Sequence, residues 1–136
     1  MAIAVVDAGV LIAFLDGSNR HHAVARNALE GARKSDDRML VPASAYSEAL
    51  VSPNRRGPDS VAIVDGLIDG LPAVVEPITR PIAADAAALR AAHGRTLRLP
   101  DALVLATARV VHADRIITTD AALPDAGVAI DLLRGL

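Results

Sequence analysis

The chain has no cysteine and no tryptophan, and its only aromatic residues are Phe14 and Tyr46. Without thiols it can form neither a disulfide framework nor a thiolate metal centre, and a reducing compartment is compatible with that absence. Two rings leave almost nothing on which exposed bases could stack, which argues against an OB-fold or RRM-like platform. Lysine is nearly missing too: of 14 basic residues, all but Lys34 are arginine. A GC-rich genome accounts for that bias more readily than selection for phosphate contacts. The formal charge of -2 argues against non-specific coating of nucleic acid, yet it leaves room for a basic rim around an acidic centre. The apolar start, MAIAVVDAGVLIAFLD, lacks a basic leader and is broken by Asp7 and Gly9. It reads as neither a signal peptide nor a membrane span, so a cytoplasmic protein with no membrane partner is expected.

What is present fits one domain over residues 1–136, long enough to bury a substantial core. Apolar β-rich runs alternate with helical patterns, which predicts an α/β fold, a central parallel sheet flanked by helices. AIAVVD reads as a buried first strand ending at Asp7. AGVLIAFLD has the β-branched content of a strand, but its position directly after one suggests a short helix packed on the sheet. Residues 21–34 read as a helix, RMLVPAS offers a short strand, and Pro42 and Ser44 open the helix AYSEALVS. Pro53, Gly57 and Pro58 mark a loop. Beyond it Val61, Val64, Leu67, Ile68 and Leu71 fall on one helical face. PAVVEPI is a third strand; the next helix has Pro81 near its start and Gly94 past its end. A helix from LPDALVLATARVVHA and the strands DRIITTD and VAIDLL complete the chain.

Four acids stand out in this order. Asp7 and Asp120 each directly follow a predicted parallel strand, at the carboxyl edge where such sheets build their sites. Glu48 lies in the helix after the second strand, and Asp101 in the first turn of the helix that Pro100 opens, backed by Leu103, Val104 and Leu105. All four can face one crevice. Each also fits a local role when taken alone. Asp101 can serve as a first-turn acid favoured by the helix dipole, Asp120 as a turn or N-cap residue, and Glu48 as a solvated helix residue. Order and spacing together favour a shared site.

The segments VVDAGVLIAFLD, PASAYSEAL, LRLPDALVLATA and RIITTDAAL, in this order, resemble the PIN-domain family, and within it the VapC-type toxins of bacterial type II toxin-antitoxin pairs. The resemblance runs from Ala2 to about Leu133 and implies a parallel sheet flanked by helices. Asp7, Glu48, Asp101 and Asp120 match the family's acidic positions. One departure concerns the residues after the first acid, commonly hydroxyl or amide side chains in the family but Ala8 and Gly9 here. A supporting hydrogen bond could come instead from the Gly9 N–H, Thr118 or Thr119.

Four carboxylates in one crevice repel one another and are tolerable only if protons or divalent cations neutralise them. Oxygen ligands without His or Cys select Mg²⁺ or Mn²⁺ over zinc. Such ions suit in-line displacement at a phosphodiester, so the acids serve as both ligands and catalytic groups on a nucleic-acid backbone. The resemblance implies RNA, a cognate antitoxin protein as partner and a homodimer; 52% hydrophobic residues and a positive mean hydropathy agree with shared apolar surface. Candidate backbone contacts are Arg20, Arg26, Arg55, Arg56, Arg95 and Arg98, with Arg55 and Arg56 expected in a loop. The four histidines show no metal-ligand spacing. The expected function is a metal-dependent endoribonuclease toxin. A catalytically silent PIN-like module binding RNA or protein is the alternative, supported by Ala8 and Gly9. An acidic phosphoreceiver would need a lysine near the site, and Lys34 is poorly placed.

Overall fold

Strand β1 (Ile3–Val6) carries no polar residue because both its faces are covered: Ala4 and Val6 point into one core cluster and Val5 into another. The same alternation sends Met39 and Val41 of β2 (Arg38–Pro42) to the first face and Leu40 to the second. In β4 (Arg115–Thr118), Ile117 and Ile116 divide likewise. The computed structural model describes residues 1–135. With β3 (Ala73–Glu76) and β5 (Ala129–Leu132), these strands form a five-stranded sheet in the order β3-β2-β1-β4-β5, parallel throughout.

Among the described residues seven helices cover the sheet: α1 (Ala8–Leu15), α2 (His22–Lys34), α3 (Ala43–Ala49), α4 (Val51–Arg56), α5 (Pro58–Gly70), α6 (Arg80–His93) and α7 (Leu99–Val110). A 3-10 turn at Gly94–Thr96 precedes α7. Helices α1, α2, α3 and α5 supply the first core, while α6 and α7 pack together over the second. None of these helices is long and apolar enough to cross a membrane. The order 3-2-1-4-5 makes β1 and β4 neighbours although they are far apart in sequence. Their carboxyl ends meet where the winding of the chain reverses, the usual place for a site in such folds.

The α/β expectation holds, and AGVLIAFLD is the helix α1. Four local expectations change. Pro53 lies inside α4, in its first turn, where the missing N–H has no intrahelical acceptor to lose. Arg55 and Arg56 therefore close a helix instead of occupying a loop. Ser44 does not cap α3: the helix begins at Ala43, Pro42 holds the cap position, and Ser44 Oγ is buried without a hydrogen-bond partner among the described residues. On α5, Val64 and Ile68 are buried with Leu71 behind them, but Leu67 is 43% exposed. Leu103 of α7 is only partly buried.

Candidate active site

Asp7 ends β1 and caps α1, so one residue joins the central strand to the first helix. Its N–H donates to Ile117 O across to β4, and its own carbonyl accepts from Val10 and Leu11. The carboxylate, only 8% exposed, is held on both oxygens. Oδ1 accepts the Ala8 N–H at 2.8 Å and Oδ2 accepts the Thr118 hydroxyl at 2.7 Å. Thr118 is fully buried, and its Oγ1 also accepts the Asp120 N–H at 3.0 Å. One hydroxyl thus ties the first acid to the backbone of the last. Asp120 in turn accepts the Ala122 N–H on Oδ1 at 2.9 Å.

Asp101 lies in the first turn of α7, where Pro100 needs no N–H and the N-cap residue, Arg98, makes no side-chain cap. The open end of the helix favours an acid there. Glu48 projects from the last turn of α3. Burial pushes the Asp7 carboxyl above its ordinary range and Asp120 adds to the rise, while the bonds from Thr118 and Ala8 hold it down. Glu48 is raised by desolvation, then by Asp7 and Asp101. Asp101 is raised by desolvation, then by Asp7 and Asp120. The Arg98 guanidinium opposes both of the latter rises. Asp7 and Asp101 are therefore within electrostatic reach of each other, and both are within reach of Glu48 on one side and Asp120 on the other, so the site favours whatever neutralises them.

The acids do not form a ready cage: among the described residues no three His, Asp or Glu side chains converge closely enough to hold a metal ion between them. The donor set still fits a hard cation that keeps part of its water shell. Mg²⁺ is commonly held by one or two carboxylates and completed by water and phosphate oxygens. Of the six candidate arginines, Arg98 alone is felt by the acids, through Glu48 and Asp101. Arg56 is felt by Asp16. Arg20, Arg26, Arg55 and Arg95 are exposed side chains on the loop before α2, on α2, on α4 and in the 3-10 turn. The Gly9 N–H has no bond to Asp7; Ala8 makes that bond instead. Thr119 follows Thr118 at the same edge, its hydroxyl against Gly9.

A family model for the PIN domain matches residues 4–129. The chain belongs to the PIN-domain family. Solved structures agree on the fold. The sarcin-ricin loop cleaving toxin VapC20 of Mycobacterium tuberculosis superposes with a TM-score of 0.74 at 19% identity, covering 93% of this chain and 96% of that one. A toxin-antitoxin complex from Klebsiella pneumoniae gives 0.73 at 22% identity, covering 98% and 99%. VapBC2 from Rickettsia felis, bound to a DNA fragment from its promoter, gives 0.77 at 13% identity, covering 97% and 99%. Among curated proteins, none matches the chain in sequence.

A groove beside the acids escaped the sequence reading of this PIN domain. About 190 Å³ in volume, it lies between α1, α4 and α5, and Ile12, Leu15, Ile63 and Leu67 line it together with Asp16, Arg56 and Glu48. The signal was present in α5, where Ile63 and Leu67 make a second apolar stripe, four residues apart and offset by one from Val64 and Ile68. A single-face reading of the helix merges the two stripes.

Proposed function

We propose that this PIN domain is a Mg²⁺- or Mn²⁺-dependent endoribonuclease, the toxin of a type II toxin-antitoxin pair. The observation that carries the reading is the charge cluster itself. Asp7, Glu48 and Asp101 all have raised carboxyls because they are desolvated and repel one another at the switch point of the sheet, an arrangement that costs stability unless a cation enters. Asp7, Asp101, Asp120 and Glu48 would hold the ion. When bound, it would neutralise a phosphodiester and lower the pKa of an attacking water.

The chain's own residues do the rest. Asp7 is fixed by Ala8 and Thr118, so its lone pairs point to one place before any ligand arrives. Glu48, more exposed and raised, is suited to take a proton from water. Arg98 at the start of α7 supplies a guanidinium for a phosphate oxygen beside the acids. The VapC20 likeness supports RNA as substrate, and the complexes among the structural neighbours support an antitoxin partner. The groove with Ile12, Ile63 and Leu67 suits an apolar helix of that antitoxin, with a basic side chain reaching Glu48. A homodimer belongs to the same proposal.

The test is cleavage of a structured RNA by the purified chain with Mg²⁺, with Mn²⁺ and with excess EDTA. Asp101→Asn and Glu48→Gln are each expected to lower cleavage by about two orders of magnitude or more, with circular dichroism unchanged. Full cleavage in EDTA, or full activity in Asp101→Asn, would overturn the reading. Folded wild type without cleavage under any condition would favour the silent binding module.

A further inference from the structure

Position 9 is the second residue of α1, where alanine is intrinsically better than glycine. Its backbone does not ask for glycine, since the glycines at positive φ are Gly57, Gly94 and Gly127. Space does. A Cβ at position 9 would fall 2.7 Å from Thr119 Oγ1, and nothing else outside the local helix lies within 4 Å of it. The helix therefore gives up a side chain to make room for one hydroxyl. Thr119, the bend residue directly after β4, lies with its hydroxyl against Gly9 of α1, while Thr118 bonds Asp7 Oδ2. The bonds from Thr118 to Asp7 and from the Asp120 N–H to Thr118 leave Thr119 Oγ1 uninvolved, and it has no partner among the described residues. A hydroxyl without a protein partner thus lies half-buried at the carboxyl edge, in sequence between Thr118, which holds Asp7, and Asp120.

We propose that Thr119 is a positioning residue of the acidic site, its Oγ1 held over bare Gly9 to hydrogen-bond a water of a hydrated divalent cation bound at Asp7 and Asp120. The inference rests on the reading of the acids as a cation site. It also explains the glycine at position 9, which keeps the Thr119 hydroxyl in its rotamer, because a β-branched side chain cannot yield to a Cβ without turning its oxygen away.

The experiment is Mn²⁺ titration of the purified chain, followed by thermal melting and calorimetry, with RNA cleavage as a second readout. Thr119→Val is expected to weaken Mn²⁺ binding about tenfold, the usual size of a lost supporting hydrogen bond, whereas Thr119→Ser keeps it. Gly9→Ala should weaken Mn²⁺ binding as Thr119→Val does, and the double variant should lose no more than either single one. Gly9→Ala should also lower the metal-free melting temperature in the wild-type background and raise it in Thr119→Ala, where the obstructing oxygen is gone. Wild-type Mn²⁺ affinity in Thr119→Val, with Asp101→Asn still impaired, would overturn the role of Thr119 and leave the acidic site standing. Equal losses in Thr119→Val and Thr119→Ser would overturn it too. No Mn²⁺ response in the wild type would remove both readings.

Discussion

Thr118 is the residue on which the geometry of the site turns. Its hydroxyl donates to Asp7 Oδ2 and accepts from the Asp120 N–H, and it is fully buried, so water cannot replace it. Thr118→Val preserves the shape but strips partners from a buried carboxylate and a partly buried amide. The expected cost is about 1–3 kcal/mol in urea or thermal unfolding. It should grow with pH, because the lost bond is one of two that hold the Asp7 carboxyl down. Asp7, already raised, then rises further; a raised acid is most stabilising while protonated, at low pH, and loses that contribution as pH climbs through its folded-state value. The gap between Thr118→Val and wild type should therefore be smallest near pH 4 and largest at neutrality. A gap that does not change with pH would mean that Thr118 acts by packing alone. Asp7, Asp101 and Asp120 stood out in the sequence because each breaks an apolar run at a strand end or helix start, whereas Glu48, in the last turn of α3, stood out only through its order among the segments. The hydrogen bond supporting Asp7 was open among the Gly9 N–H, Thr118 and Thr119, since only the fold brings position 118 beside position 7.

At the scale of elements, strand and helix order was readable because the central strands are buried on both faces and each run ends on a polar or breaking residue. Proline misled at one point. Pro53 reads as punctuation, yet in the first turn of α4 it needs no hydrogen bond, and Leu50 carries the chain from α3 to α4 in helical conformation. Periodicity misled at another, since α5 is apolar on two adjacent stripes and only one meets the core. The outer stripe gives a prediction. Ile63 is 64% exposed, so Ile63→Asp should change stability by no more than about 0.5 kcal/mol and leave metal-dependent cleavage intact. If the groove takes the proposed antitoxin helix, the variant should also lose binding to that partner, because a charge would enter the apolar groove. Unchanged co-purification would move the antitoxin to another surface.

Across the whole molecule, the two edges of the sheet treat charge in opposite ways. At the amino edge Arg115 pairs with Asp37 at 3.0 Å and lies 3.9 Å from Asp131, while Asp114 accepts the Ile3 N–H at 2.7 Å. These contacts stitch β1, β4 and β5 to the turn before β2. At the carboxyl edge Asp7, Glu48 and Asp101 face one another with Arg98 as the nearby cation. The amino edge stores attraction and the carboxyl edge repulsion, so the same chemical change should have opposite signs at the two ends. Asp37→Asn removes a partner from a partly buried ion pair and should lower stability by about 1 kcal/mol. Asp101→Asn removes a repelling charge and should raise the metal-free melting temperature at pH 7. Its sign follows from the raised carboxyl: the wild type is best served with Asp101 protonated, below its ordinary value of 3.8, and loses that contribution as pH rises through the folded-state value. The advantage of Asp101→Asn should thus vanish near pH 4 and widen towards neutrality. If the acids hold the proposed cation, millimolar Mn²⁺ should then reverse the ranking, because a cation a hundredfold above its dissociation constant stabilises the wild type by about 2.7 kcal/mol, and the variant would lack one of the proposed ligand charges. Asp37→Asn should keep the full metal response, since its edge lies across the sheet from the acids. Thermal melts of the three proteins at pH 4, 5.5 and 7, with and without Mn²⁺, decide the matter; destabilisation of Asp101→Asn at pH 7 without metal would show that the carboxyl edge is not a store of repulsion.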